Sequence, residues 1–103
     1  MEFILIHRSP RPVPPEIMKA SFELGKKINT KPEEVAPGCK IIASYHAKCK
    51  GFILCIWDVP SIDNLMPAME QLALLGYDTE VIPADKMSDA LPKFEKAMAE
   101  AIK

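Results

Sequence analysis

The feature that most constrains the fold is a pair of adjacent strand-like segments, residues 39–48 and 51–58. Both are rich in β-branched and aromatic residues, and a two-residue turn at positions 49–50 or 50–51 would join them as a hairpin. Because a hairpin is stable only when a face of its sheet is buried, another layer of structure must pack on it. The sequence around the hairpin shows what that layer is.

A strand and a helix are predicted before the hairpin. Residues 2–8 form a short apolar run that ends at Ser9-Pro10, which indicates a strand. Residues 15–28 have apolar positions at helical spacing and begin with a proline, which is tolerated at a helix N-terminus. The segment 32–38 is predicted to be a loop.

A helix, a strand and a second helix are predicted after the hairpin. The first helix ends at Gly76 and has either Ser61 or Asn64 as its N-cap. Residues 77–82 indicate a fourth strand, ended by Pro83. The last helix spans residues 88–102, with four apolar side chains expected to face inward: Leu91, Phe94, Met98 and Ile102.

The predicted order β-α-β-β-α-β-α defines the fold class. Two crossover helices separate strands one from two and three from four, which is typical of an α+β, ferredoxin-like fold with an antiparallel sheet. The last helix is an addition to that pattern. With 103 residues, we expect residues 1–103 to form a single domain.

Charge and composition exclude several classes of function. Thirteen Lys and Arg against fourteen Asp and Glu leave a formal charge of −1, so we expect no nucleic-acid partner. The apolar runs are too short to span a membrane, and the acid at Glu2 is unlike a secretory signal. Three cysteines without metal-site spacing favour reduced thiols. We therefore expect a cytoplasmic protein with no membrane partner.

Side-chain alternation divides the hairpin into two faces, since either turn pairs even-numbered with odd-numbered residues. One face is almost wholly apolar, and we expect it to lie under the helices: Ile41, Ala43, Tyr45, Ala47, Phe52, Leu54 and Ile56. The other face is mixed, and we expect it to face away from the helices: Ile42, Ser44, His46, Ile53, Cys55 and Trp57.

The mixed face predicts a partner and a site. Ile42, Ile53 and Trp57 would leave a large apolar patch in water, and a second copy of the same sheet would cover it. We therefore expect a homodimer through the sheet face, closed into a barrel. Ser44, His46 and Cys55 would give its interior a few polar groups in an apolar wall, as in small-molecule sites.

Three short segments carry a resemblance to a known family: IIASYH at residues 41–46, GFIL at residues 51–54 and EVIP at residues 80–83. Together with the element order they resemble a small uncharacterised family, of domain-of-unknown-function type, in the dimeric α/β-barrel superfamily. The resemblance covers nearly the whole chain, although Tyr45 stands where relatives often have Trp. It implies a homodimer with a pocket between sheet and helices or between the two sheets. The superfamily includes cofactor-free monooxygenases, isomerases, haem enzymes and stress-response proteins, so it selects no chemistry.

His46 is the candidate catalytic residue, because an imidazole in a partly apolar cavity can act as a general base near neutral pH. A hydrogen-bonded interface histidine is the alternative, and haem or metal ligation by His46 is a lesser one; no other cofactor is expected. His7 either converges with His46 or caps the edge of the first strand, and we favour the cap.

Two further groups have a functional and a structural interpretation. A neighbouring imidazole could make Cys55 a thiolate nucleophile, whereas an isolated cysteine in a strand is more often a small buried residue. Cys39 and Cys49 are not placed to complete a metal site with it. Arg8 and Arg11 either contact an anion near the first helix or are solvated loop charges.

The leading interpretation is a homodimer that binds a small, partly apolar molecule, with Ser44, His46, Cys55, Trp57 and the neighbouring Ile42 and Ile53 lining the site. If it is an enzyme, the resemblance suggests an isomerase or a cofactor-free monooxygenase acting on a small aromatic or acidic substrate. The alternative is a structural or regulatory dimer without a ligand cavity.

Overall fold

Four strands form one antiparallel sheet in the computed structural model, which describes residues 1–9, 12–48 and 50–102. Neighbouring strands lie in the order β2-β3-β1-β4, so β1 and β3 are central and β2 and β4 are the edges. The strands are β1 (Glu2–Arg8), β2 (Lys40–Ala47), β3 (Phe52–Asp58) and β4 (Asp78–Ala84).

Within these described residues, four α-helices and one short 3₁₀ helix connect and extend the sheet. They are α1 (Pro15–Thr30), α2 (Pro32–Val35), the 3₁₀ helix (Ile62–Leu65), α3 (Met66–Leu74) and α4 (Met87–Ala101). Prolines open several of them, because a proline in the first turn lacks only an N–H that has no partner there. One of these short helices, α2, is a single turn that lies within the segment 32–38, which the sequence predicts to be a loop.

The order and pairing confirm the predicted ferredoxin-like, α+β topology. The helix α1 connects β1 to β2, α3 connects β3 to β4, and every paired strand is antiparallel. The hairpin between β2 and β3 pairs Ala47 with Phe52, and Gly51 in its turn has a φ of 70°, which favours glycine.

Two element boundaries differ from the sequence prediction. Neither Ser61 nor Asn64 caps α3 directly: the 3₁₀ helix intervenes, and Pro67 falls in the first turn of α3. Pro83 does not end β4 but lies within it, opposite Phe3. A proline is tolerated there because β4 is an edge strand, paired only with β1.

The prediction of which sheet face lies under the helices is wrong. The core places Phe3, Leu5, Cys55 and Trp57 with residues of α1 and α3, so the face that carries Trp57 is the covered one. Trp57 is 1% exposed within a single chain. The apolar face expected under the helices is the uncovered one, and Tyr45 on it is 65% exposed.

A β-bulge explains part of this error. Ile41 pairs with Trp57 and Ala43 with Ile56, so Ile42 is the extra residue and the side-chain alternation changes there. Ile41 therefore packs against the core, on the same face as Trp57, whereas Ile42 is exposed. The expectation that Ile42 and Trp57 share a face is corrected accordingly.

The orientation expected for the last helix is also wrong. Leu91, Phe94, Met98 and Ile102 are all exposed, and Ala90 is the only residue of α4 that is buried. The helix extends beyond the sheet, and the chain is 59 Å long but only 30 and 19 Å across. Among the described residues, no helix is both long enough and apolar enough to span a membrane.

Candidate functional site

A cavity of about 310 Å³ lies between α1 and the covered face of the sheet. Residues from α1, from all four strands or their ends, and from α3 form its wall: His7, Ser21, Leu24, Gly25, Ile28, Asn29, Ser44, His46, Ile53, Cys55, Leu72 and Tyr77. Aliphatic and aromatic groups dominate, with a few polar groups among them, which is typical of small-molecule sites. The cavity is thus between sheet and helices, one of the two positions that the family resemblance implies.

His7 is the most buried polar residue of this wall. It lies in the central strand β1 opposite Thr79 of β4, and its side chain is 3% exposed. Its Nδ1 is 2.9 Å from Thr79 Oγ1, so Nε2 is the ring nitrogen that can meet a molecule in the cavity. Burial lowers the pKa of His7 from 6.5 to about 4, because desolvation disfavours the imidazolium. At neutral pH His7 therefore carries no charge.

His46 lies in β2 opposite Ile53, and its side chain is exposed at the edge of the same cavity. His7 and His46 also line an adjoining cavity of about 190 Å³. The two imidazoles thus converge on one space, one buried and one reachable from solvent. The expectation that His7 merely caps a strand edge is wrong.

Ser44 and Cys55 face each other across β2 and β3, with Ser44 Oγ and Cys55 Sγ 3.6 Å apart. Burial raises the pKa of the Cys55 thiol, and the hydrogen bond with Ser44 opposes that effect only in part. Cys55 is therefore a neutral thiol at physiological pH, which favours its interpretation as a small buried residue over that of a thiolate nucleophile.

The helix α1 contributes two features that the sequence analysis did not single out. Ser21 Oγ is fully buried and has no hydrogen-bond partner among the described residues, although buried polar groups usually have one. A Cβ atom built on Gly25 meets nothing within 4 Å. Both residues lie on the face of α1 that carries Leu24 and Ile28 into the core, so both point toward the cavity.

Of the remaining residues predicted to contact a ligand, some line the cavity and others do not. Ile53 lines the cavity, together with Ser44, His46 and Cys55. Trp57 lies two residues beyond Cys55 on the same face but is packed into the core and is not part of the wall. Ile42 is in the bulge and does not reach the cavity.

The predicted anion contact does not join this site. Arg8 Nη1 is 3.3 Å from Glu80 Oε1, and both side chains are exposed on the opposite side of the sheet. Arg11 lies outside the described residues. In the same strand as Glu80, Thr79 faces the covered side of the sheet, where it contacts His7.

Cysteine and metal chemistry can be stated for the described part of the chain. Cys39 and Cys55 are free, buried thiols, whereas Cys49 lies outside the described residues. Burial raises the pKa of the Cys39 thiol, which lies 3.7 Å from the Pro37 carbonyl oxygen. No three His, Cys, Asp or Glu side chains within residues 1–9, 12–48 and 50–102 are grouped to hold a metal ion.

Two sequence signals could have identified the missed residues. Gly25 interrupts an otherwise good helical pattern, and an interior helix glycine often has a packing or functional reason. His7 is the polar member of a strand that is otherwise apolar at alternate positions, since Phe3 and Leu5 share its face. A histidine in that position is buried and needs a partner.

Comparison with known proteins gives similarity of structure only. No family model matches the chain, and no curated protein matches it. Among solved structures, the chain is similar to a Caulobacter crescentus protein proposed to be an antibiotic biosynthesis monooxygenase, with 17% identity and a TM-score of 0.49 over 82% of this chain and 90% of that chain. It is also similar to a structural-genomics target from Agrobacterium tumefaciens, with 13% identity and a TM-score of 0.42 over 84% of this chain and 95% of that chain.

Proposed function

We propose that this chain binds a small, partly apolar molecule in the cavity between α1 and the covered face of the sheet. The observation that carries the proposal is the wall of this cavity, where two imidazoles and the buried Ser21 hydroxyl lie among apolar groups. Within residues 1–9, 12–48 and 50–102, this hydroxyl has no hydrogen-bond partner. At roughly 30 Å³ for each water-sized group, a volume of about 310 Å³ holds about ten of them. That size suits a single substituted ring.

The chemistry of the wall selects the kind of ligand. Leu24, Ile28 and Leu72 provide apolar surface for a ring or a short hydrocarbon. The neutral His7 and the Ser21 hydroxyl can each form a hydrogen bond with an oxygen of the ligand. A ligand hydroxyl group can donate or accept such a bond, and a ligand carbonyl group can accept one. A small aromatic molecule with one or two oxygen substituents meets both requirements.

A catalytic role is assigned to His46 within this proposal. Its imidazole lies at the solvent-exposed edge of the cavity, where a proton taken from the ligand can be passed on to water. Isomerisation requires that a proton removed at one carbon is returned at another. Oxygenation without a cofactor converts a CH₂ group of the substrate and O₂ into a carbonyl group and water, and the substrate itself supplies the electrons. Removal of a proton by His46 is the first step of both.

The proposal assigns no cofactor to the site. Haem or metal ligation by His46 is the lesser alternative, and a titration with haemin followed by absorption spectroscopy tests it. A shifted, saturable haem band in the intact protein that is absent in His46→Ala would replace the cofactor-free proposal.

We further propose that the protein acts as a homodimer in the cytoplasm. The second copy would cover the open face of the sheet, defined here as the side that carries Ile4, Ile6, Tyr45, Leu54 and Ile56. This is the opposite face from the one expected at first, because α1 and α3 already cover the other. An apolar sheet face left in water favours association.

Filling the cavity tests the binding proposal directly. In a thermal-shift screen of phenols, quinones and aromatic carboxylates, we expect the intact protein to be stabilised by some members. Gly25→Leu would place a side chain in the cavity and abolish these shifts, and His46→Ala would weaken them. Lys48→Ala, at the exposed hairpin tip outside the cavity wall, is the matched control and should leave them unchanged.

The same screen decides between the two classes of function. If no compound stabilises the intact protein, or if Gly25→Leu binds the same compounds equally well, the cavity is not a binding site. A structural or regulatory dimer would then be the better interpretation. For an active compound, exchange of its C–H hydrogens with D₂O that is lost in His46→Ala would support the catalytic role.

A further inference from the structure

The C-terminal helix α4 carries an apolar stripe that the other described residues of the chain leave uncovered. The stripe recurs at helical spacing, and all its members are exposed: Met87, Leu91, Phe94, Met98 and Ile102. We propose that this stripe packs against a second copy of the chain, as an arm that completes the dimer interface. The proposal rests on the homodimer of the proposed function and adds to it the element that stabilises the dimer.

A two-residue linker, Asp85 and Lys86, connects β4 to α4. Lys93 Nζ is 3.3 Å from Asp85 Oδ2, so an ion pair joins the first half of the helix to this linker. Lys86 Nζ is 3.8 Å from Glu2 Oε2, so a second ion pair joins the linker to β1. Beyond Ala90 no residue of α4 is buried, so the described part of the chain leaves the apolar stripe uncovered.

The helix itself requires a packing surface. An isolated helix of about 15 residues is marginal in water even with a favourable sequence, and α4 has 15 residues. Pro92 lies in its interior, where it removes one backbone hydrogen bond and destabilises the helix further. Contacts beyond those that the described residues provide would therefore stabilise α4.

The area of the two uncovered surfaces indicates that the partner is a second copy. The five side chains of the stripe are 54–84% exposed. At about 200 Å² for a fully exposed large side chain, they offer about 600 Å² of accessible surface. Stable interfaces bury about 600 Å² or more on each partner, so the stripe together with the open sheet face exceeds what a stable dimer needs. A twofold dimer would bury both surfaces on both copies.

The charges of α4 favour a protein partner over a lipid surface. Helices that bind anionic membranes carry mostly Lys and Arg on their polar side. The charged residues of α4 have both signs, with acids in excess: Asp89, Lys93, Glu95, Lys96 and Glu100. Such a mixed polar side is typical of a helix that lies in an interface with its outer side in water.

A pair of substitutions on opposite sides of α4 tests the arm. Phe94→Asp places a charge in the stripe, whereas Lys96→Asp places the same residue on the polar side of the same helix and changes its charge by two units. In sedimentation velocity over a dilution series, we expect Phe94→Asp to raise the dimer dissociation constant at least 30-fold and Lys96→Asp to raise it less than threefold. Leu54→Lys, in the centre of the open sheet face, reports separately on the sheet contact.

Hydrogen exchange of the unmodified chain provides a second, independent readout. We expect the amides of α4 to be protected at concentrations where the chain is dimeric and to lose that protection on dilution. A dimer that Leu54→Lys disrupts but Phe94→Asp does not would overturn the arm and leave the homodimer standing. A chain that is monomeric at every concentration would overturn both. Co-sedimentation of the intact chain with phosphatidylcholine–phosphatidylglycerol vesicles, abolished by Phe94→Asp, would assign the stripe to lipid instead.

Discussion

The two faces of the sheet differ in where their polar side chains lie. The covered face places His7 and Ser44 among buried apolar residues, whereas the open face is apolar around Leu54 and carries the exposed ion pair of Arg8 and Glu80. In a sheet with one solvated side the polar residues are expected on the outer face, so those beneath the helices need another reason. The cavity wall that His7 and Ser44 help to form is that reason, and the apolar part of the open face is suited to a partner.

The largest difference between the two faces should be seen in the stability of the single chain. Trp57→Ala removes a side chain that is 1% exposed in the core, and we expect a loss of about 3–5 kcal/mol in the free energy of unfolding. Tyr45→Ala on the open face, where the side chain is 65% exposed, should change that free energy by less than about 1 kcal/mol in the monomer. Urea unfolding at low protein concentration measures both. Equal losses would contradict the assignment of the faces.

The next largest effect is a pH dependence of the unfolding free energy, which arises from His7 on the covered face. The folded pKa of His7 is lowered from 6.5 to about 4, so between these values the unfolded chain binds a proton that the folded chain does not. Stability from this residue is therefore complete above about pH 6.5 and falls as the pH drops toward 4, by about 3 kcal/mol at most.

The difference between two variants isolates this contribution from the carboxylates that titrate in the same range. His7→Gln cannot ionise, so its unfolding free energy should fall less steeply between pH 6.5 and 4 than that of the unmodified protein. Ser44→Ala, a substitution in the same cavity wall that removes no group ionising in this pH range, should keep the original slope. A slope unchanged in His7→Gln would show that this imidazole is not buried in its neutral form.

The element order was predictable because it depends on local signals. Hydrophobic periodicity and the positions of proline and glycine predict β-α-β-β-α-β-α, and the crossover rules then leave few topologies. The hairpin residues Ser44, His46, Ile53 and Cys55 were correctly grouped on one face, since alternation holds between Ala43 and Ala47 whichever face is covered.

Polarity could not identify the covered face, because that inference assumes regular side-chain alternation and a covered face without polar groups. Neither assumption holds in this chain. The bulge at Ile42 changes the alternation, and a cavity wall on the covered side makes that side look solvated. The inward orientation expected for Leu91 and Phe94 fails for a related reason: an apolar stripe shows that a helix packs, but not on which chain. The fold brings together His7, Thr79 and Gly25, which are far apart in the sequence. Local sequence patterns could not predict that these residues lie close to one another.

The smallest effect we predict tests whether the covered face has room where a packed core would have none. Gly25 lies inside α1 and faces the cavity, and a Cβ atom there meets nothing within 4 Å. Gly25→Ala should therefore stabilise the chain by about 0.5–1 kcal/mol, since alanine loses less conformational entropy in a helix and no atom must move. Gly51→Ala, at a turn residue with a φ of 70°, is the opposite control and should destabilise it by a similar amount or more. Thermal unfolding measures the stability change of both variants. A destabilised Gly25→Ala would mean that α1 lies against the sheet at this point and that the cavity is closed in solution.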